Sequence, residues 1–499
     1  MFNPYQYVQK EPYMLYIDGE FVPSESGETF DIVNPANNKV FARAYKGGKA
    51  DIEKAIQAAR HAFDHGPWKD MTHFQRSELL YRARDLMEKR AEEFACLETL
   101  DCGKIFPGVM HHEVPRSLDA FRYSAGHARH LEGKVVPVDG GGNYFNYVTW
   151  EPCGVVGEIL PWNGPLTMGC QKISAILAAG NTIVVKPAEW ASLSMLVLAS
   201  IFDEAGFPKG VFNLVTGPGR EVGAALVESP DVDMVSLTGG TETGKDIIRR
   251  SADTVKQIAL ELGGKSPNII FEDVDLDVAA RWAAAGFTLN AGQVCVAGTR
   301  ILVQESIYEA FIEGLKKACQ KLVPGDGFAH EEGVNFPTLI SREHVEGVWS
   351  YIQKGKEEGA RLILGGEPYQ QEHLQQGNFV PPTIFADVKP HMTIYQEEIF
   401  GPVACVTPFK DEEEAIELAN NVVFGLAGAV FTKNGARAHR VASQIKAGQI
   451  YINTYYSKGI MESPGTGWKQ SGVGVAGIHK YMHSRTVFMS FDDRPEAPI

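Results

Sequence analysis

The sequence predicts an α/β protein with two units of parallel sheet covered by helices, plus a small separate β element. Three observations lead there. From about residue 152, short apolar runs alternate with helical segments, the pattern of strand–helix crossovers onto one parallel sheet. After Gly264 the alternation starts afresh. Residues 129–150 and 485–491 fit neither unit and read as strands. A length of 499 residues with 44% apolar content agrees with two or three domains rather than one core.

Residues 14–34 alternate apolar and polar around Asp18-Gly19, which predicts a short hairpin. Residues 50–130 read as helices. Ala55, Ala58, Ala59 and Ala62 recur at helical spacing behind Asp51 as a cap, and an amphipathic stretch runs over 76–97. Apolar runs at 155–160, 181–186, 211–215 and 232–237 are strands of the first unit, with a helix over 167–179. Parallel sheets bind ligands at the carboxyl ends of their strands, so the loops after these runs are where a site is expected. The second unit opens with the run 267–271.

Val135-Val136-Pro137-Val138, then Asp139-Gly140-Gly141-Gly142, then 144–150 read as a hairpin projecting from the first unit, and 485–491 as a lone strand. A hairpin and a strand without partners predict a small sheet shared between subunits. The chain then divides into 1–128 with 150–261, 262–477, and the oligomerisation segments 129–149 and 478–499.

The net charge of −15 and the lack of any dense Lys/Arg block argue against a nucleic-acid surface. The 7 cysteines are scattered without CxxC spacing, so neither a metal site nor a disulfide framework is indicated. The N-terminus lacks the basic start and apolar core of a signal peptide, and no run is apolar enough to span a membrane. A cytoplasmic protein is expected.

Chemistry concentrates in three motifs. Gly292-Gln293-Val294-Cys295 offers a thiol, Glu261-Leu262-Gly263-Gly264-Lys265 a carboxylate, and Pro161-Trp162-Asn163-Gly164 a side-chain amide. A nucleophile, an oxyanion donor and a base are what covalent attack on a carbonyl and hydrolysis of a thioester require. Singly, each has a bland reading: an inert buried cysteine, an asparagine capping the next helix, a surface glutamate at a strand end. Gly217 to Gly223 approximates a GxGxxG loop with one residue extra. Gly239 to Asp246 nearly spells a P-loop, but Asp246 stands where a hydroxyl would hold magnesium. The latter reads as a strand-to-helix turn that admits a pyrophosphate, with a nucleotide hydrolase as the rival.

These motifs, together with Lys186-Pro187-Ala188-Glu189, Thr238-Gly239-Gly240-Thr241 and Glu398-Ile399-Phe400-Gly401-Pro402, resemble in content and order the aldehyde dehydrogenase superfamily, in its hydrolytic NAD(P)-dependent branch. The resemblance covers nearly the whole chain. It implies a Rossmann-like cofactor domain, a second α/β catalytic domain and a small β oligomerisation sheet in homodimers or homotetramers. It implies Cys295 as nucleophile, Asn163 with the Cys295 N–H as oxyanion donors, Glu261 as the base for thioester hydrolysis, and Lys172 in proton relay. For NAD it implies Pro161, Trp162 and Gly219 among the binding residues, Lys186 and Glu189 at the adenosine ribose, and Gly239 and Gly240 at the turn that admits the pyrophosphate. Glu398 then meets the nicotinamide ribose with Phe400 packed nearby. The charge of Glu189 would disfavour a 2′-phosphate, so NAD is preferred to NADP. Retention of Glu261 implies a free acid as product rather than a coenzyme A ester. The alternative is a non-catalytic structural or binding protein on the same scaffold, which need not keep Cys295, Asn163 and Glu261 together.

The chain departs from the family pattern at Gly164 and Gln171, where aromatics are common, and at Pro464-Gly465-Thr466-Gly467, where Pro-Phe-Gly-Gly is common. These changes suggest a wide pocket for a bulky aldehyde, cyclic or aromatic, with Tyr455, Tyr456 and Trp468 as a stacking wall and Lys458 drawing an acidic substituent. The alternative is that neighbouring loops refill the space. Ser471 to Gly477 replaces a Gly-Arg-Glu-Leu-Gly pattern, which leaves the tunnel mouth and the oligomer contact open.

Overall fold

Asp18 (φ 52°) and Gly19 (φ 74°) are both left-handed, the conformation that closes a two-residue hairpin between Leu15–Ile17 and Glu20–Val22. The computed structural model describes residues 3–138, 143–456, 461–463, 465–475 and 477–491. That hairpin forms one edge of an eight-stranded sheet. Its order continues through Phe212–Leu214, Thr182–Lys186, Val155–Ile159, Met234–Thr238 and Gln257–Glu261 to Gly472–Val473. The five strands from Phe212–Leu214 to Gln257–Glu261 run parallel. Val155–Ile159 and Thr182–Lys186 lie at the centre and are almost wholly buried, which explains their continuous apolar character. Gly472–Val473 pairs antiparallel with Leu260 and Glu261, so a segment that the sequence groups with the second unit closes the first sheet.

The helices begin and end by local chemistry. Lys49–Asp64 starts after Gly48, and Asp51 is its third residue rather than its cap: the carboxylate accepts the Gly48 N–H at 2.9 Å. The expected stretch over 76–97 is two helices, His73–Lys89 and Ala91–Cys102. At Arg90 the backbone leaves the helical path (φ −109°, ψ 22°), and the guanidinium turns to Glu93 at 2.6 Å and Ser200 at 2.7 Å.

The second unit holds a seven-stranded sheet, ordered Arg361–Leu364, Thr383–Ala386, Val403–Phe409, Arg300–Gln304, Pro267–Ile270, Ala427–Phe431 and Gln449–Ile452. It is parallel except for the edge strand Arg361–Leu364. The third sheet corrects the picture of unpartnered strands. Met482–Ser490 pairs antiparallel along the whole of Tyr144–Pro152, and Lys134–Val136 flanks the other side. Residues 139–142 and 492–499 lie outside the described residues. Among the described residues no helix is long and apolar enough to cross a membrane.

Candidate active site

The loops singled out by sequence leave the carboxyl ends of the first sheet's strands. The chain passes from Val155–Ile159 through Pro161-Trp162-Asn163 into the helix Pro165–Ala178, whose start is tied to a buried carboxylate. Glu98 accepts the Leu166 N–H at 3.1 Å, the Ser194 hydroxyl at 2.6 Å and the Lys104 ammonium at 2.7 Å. Gly164 is the N-cap, so Asn163 does not cap this helix. Its side chain reaches into the second unit instead and donates from Nδ2 to the Gln293 carbonyl at 2.9 Å. A primary amide carries two N–H groups, so the second is free for an oxyanion.

The cysteine turn is built from left-handed residues: Asn290 (φ 50°), Ala291 (φ 52°) and Gly292 (φ 77°). A side chain at Gly292 would overlap the Gly401 backbone, so glycine is needed for space as well as for φ. Gln293 is buried and locks the turn. It donates to Asn290 O at 3.0 Å and Thr338 O at 3.1 Å, and accepts the Ile340 N–H at 2.9 Å. Cys295 then faces a cavity of about 1570 Å³ with Asn163, Glu261 and Lys172 in its wall. Burial pushes the Cys295 thiol up to about 12, and Glu398 and Glu261 push the same way, while the N–H groups of Val296 and Cys295 favour the thiolate.

Glu261 ends its strand, and burial raises its carboxyl above the ordinary range. Lys480, Lys172 and the Gly467 N–H each work in the opposite direction. Beyond it, the Gly264 N–H donates to Glu398 at 2.9 Å, and burial lifts Glu398 to about 7. Lys172 is buried and donates to Glu158 at 3.0 Å and Ser236 at 3.1 Å. Lys480 is a residue the sequence reading missed. Its carbonyl accepts from the Gln257 side chain at 2.7 Å, and its ammonium shares a field with Lys172, Glu261 and Glu158. Nothing in the order of residues signals it, because the segment after 477 reads as an oligomerisation tail.

The cofactor set divides in two. Pro161, Trp162, Gly239, Gly240, Glu398 and Phe400 line the same cavity as Cys295. Lys186, Glu189 and Gly219 lie outside that lining: Lys186 ends the strand Thr182–Lys186, Glu189 follows it, and Gly219 opens the helical turn after Phe212–Leu214. Lys186 is buried, yet among the described residues no hydrogen bond occupies its ammonium. Burial lowers its pKa while Glu189 supports the charge. A buried donor without a partner beside a carboxylate fits ribose hydroxyls. Gly240 is the N-cap of the helix Thr241–Ser251, so its turn presents backbone N–H groups toward the cavity. Lys245 donates to Glu242 at 2.6 Å and Asp246 accepts from Arg250 at 2.8 Å, so both are committed along the helix, unlike the ends of a P-loop. Trp162 packs edge-on to Phe400 at 5.2 Å and to His344 at 5.3 Å, and His344 Nε2 lies 2.8 Å from the Phe400 carbonyl oxygen. His344 has no motif around it and was not anticipated.

The expected stacking wall is different in detail. Tyr456 and Tyr451 line the cavity, with the Tyr456 hydroxyl donating to Gly286 O at 3.0 Å. Tyr455 is buried behind them and donates to Val296 O at 2.6 Å. Trp468 is exposed, on a short strand paired with Phe424–Gly425 and away from the cavity. Gly164, Gln171 and Gly465 do line it, whereas Lys458 and Pro464 lie outside the described residues. Among the described residues no cluster of His, Cys, Asp and Glu could hold a metal ion.

Residues 21–490 match the family model described as the aldehyde dehydrogenase family. The chain is 42% identical over 480 residues to betaine aldehyde dehydrogenase of Bacillus subtilis, covering 95% of this chain and 96% of that protein. Its fold matches the NAD+ complex of aldehyde dehydrogenase from Bacillus cereus with a TM-score of 0.94 at 42% identity over 99% of each chain. It matches betaine aldehyde dehydrogenase from Staphylococcus aureus in complex with NAD+ with a TM-score of 0.96 at 38% identity, over 100% of this chain and 99% of that one. Matched along nearly its whole length by sequence and by fold, the chain belongs to the aldehyde dehydrogenase family.

Proposed function

We propose that this chain oxidises an aldehyde to a carboxylic acid with NAD, using Cys295 as nucleophile, Asn163 as oxyanion donor and Glu261 as base. The observation that carries this reading is the meeting at one turn of the Asn163 amide, through Gln293 O, and the Glu261–Gly264 loop, through its backbone packing on Cys295. When bound, NAD+ takes up the two electrons and the hydrogen removed from the aldehyde carbon. Lys186, Glu189, Gly219, Gly239, Gly240 and Glu398 would hold it, with Pro161, Trp162 and Phe400 packed beside it.

The chain's own groups do the rest. The Cys295 sulfur, on losing its proton, adds to the carbonyl carbon, and the free N–H of Asn163 and the Cys295 N–H receive the oxyanion. After oxidation the acyl group is a thioester on Cys295. Glu261 takes a proton from water as the water oxygen adds to the acyl carbon. The C–S bond then breaks, the acid leaves and sulfur departs as thiolate. Lys172 and Lys480 stabilise the ionised Glu261, and Lys172 is itself held by Glu158.

Gly164 and Gln171 leave room near the chemistry for a bulky aldehyde. Glu189 favours NAD over NADP. A cytoplasmic homodimer or homotetramer joined through the three-stranded sheet is the matching assembly, since Val135 and Phe488 on that sheet are exposed apolar side chains. Growth of NADH absorbance with a panel of aldehydes, lost in Cys295→Ala, tests the reading. A folded, NAD-binding protein that turns over no aldehyde would favour the non-catalytic scaffold.

A further inference from the structure

Arg116 lies in the wall of the cavity that holds Cys295, and among the described residues no ion pair or hydrogen bond engages its guanidinium. It sits on the helix Val114–Ala128, packed beside the helix that follows Asn163. Two contacts set the register of that packing: the Ser124 and Ser174 hydroxyls are 2.9 Å apart, and Ser174 donates to Ala120 O at 3.2 Å. Ser117 reaches the Cys170 thiol one turn nearer the start of both helices. This brings Arg116 to the level at which Gly164 and Gln171 face the cavity.

The guanidinium is half-buried. Burial works against its charge. Glu113, Tyr451 and Cys295 are the groups whose negative forms support it. Glu113 directs its carboxylate to Lys104 at 2.6 Å, and Lys104 also bonds Glu98. Among the described residues no carboxylate comes within ion-pair distance of Arg116, and none accepts a hydrogen bond from it. A planar fork of N–H donors therefore opens into a largely apolar chamber, between the cysteine and Tyr451. Carboxylates match that fork in geometry and charge.

We propose that Arg116 reads substrate charge, and that the aldehyde taken by this enzyme carries a carboxylate at the end remote from its carbonyl. This rests on the reading of Cys295 as nucleophile. The bound aldehyde spans from the sulfur to the guanidinium, and the carboxylate completes the hydrogen bonds that the protein leaves open. A quaternary-ammonium aldehyde is disfavoured by the same charge.

The test compares aldehydes that differ in charge at nearly constant shape: 4-formylbenzoate against 4-formylbenzamide, and succinate semialdehyde against its amide, with a quaternary-ammonium aldehyde as third arm. The expected order of kcat/KM is anion, neutral, cation. In Arg116→Met the ratio of anion to neutral amide falls about 30-fold, the scale of one charge-assisted bidentate pair, and Arg116→Lys restores part of it. Calorimetric titration with terephthalate, the product of the first substrate, gives a readout independent of turnover: binding is measurable in the parent and lost in Arg116→Met. Equal kcat/KM for anion and amide, or an unchanged ratio in Arg116→Met, overturns the proposal while leaving aldehyde oxidation intact. A drop in thermal stability with no change in the ratio would assign Arg116 to balancing Glu113 alone and also overturns it. Failure to oxidise any of the aldehydes is instead the failure of the underlying reading.

Discussion

Gly264 and Cys295 pack backbone to backbone: a Cβ on Gly264 would overlap the Cys295 carbonyl oxygen. This contact couples the loop that carries Glu261 to the turn that carries Cys295, the proposed nucleophile. Gly264→Ala must push the two apart. Overpacking of this kind costs about 1–3 kcal/mol, and chemical denaturation should read that loss. Deacylation should slow as well, because the Glu261 loop and the Cys295 sulfur lose their register. An alanine variant with parental stability and rate would show that the contact has slack.

Asn163 is the structural bridge between the two units at the site. Removing its amide in Asn163→Ala takes away one of the two proposed oxyanion donors, which should lower kcat by about 10²–10³-fold. NAD binding, followed by quenching of tryptophan fluorescence, should change little. A kcat near that of the parent would remove Asn163 from the chemistry.

The thiol of Cys295 is held protonated by burial and by the two nearby carboxylates, with its pKa pushed up to about 12. In the cofactor-free protein, alkylation of Cys295 by iodoacetamide should therefore rise about tenfold per pH unit across the neutral range, with no plateau below pH about 9. A plateau near neutrality would mean that the free protein already stores a thiolate.

Lys480 stabilises the ionised form of Glu261. Replacing it in Lys480→Met lets the Glu261 pKa, already raised by burial, rise further. In the proposed mechanism the carboxylate is the active form, so deacylation is lost as pH falls through that pKa. The acidic limb of the deacylation profile should then move to higher pH. Movement to lower pH, or none, would separate Lys480 from the base.

Much of this was legible because the informative signals are local. The runs at 155–160 and 181–186 read as strands because strands buried on both faces need no polar positions, and Asp18-Gly19 read as a turn because both of its residues tolerate positive φ. What escaped was long-range or lacked a marker. Pairing of 482–490 with 144–152 and of Gly472–Val473 with Leu260 joins segments hundreds of residues apart. The break at Arg90 has neither glycine nor proline to announce it. Trp468 is an aromatic near a site motif, but only the fold decides which side of its strand meets solvent. Lys480 and Arg116 sit in no motif, and their importance comes from what the fold places opposite them.

The central claim is that an acyl group rests on Cys295 until Glu261 activates water. Glu261→Gln, mixed with aldehyde and NAD+ and quenched in acid within a turnover, tests it by mass spectrometry of the peptide that contains Cys295. The expected result is a burst of about one NADH per active site, then turnover slowed by about 10²–10⁴-fold, with the acyl mass on that peptide. A quenched protein with unmodified Cys295 and full steady-state turnover would contradict the account.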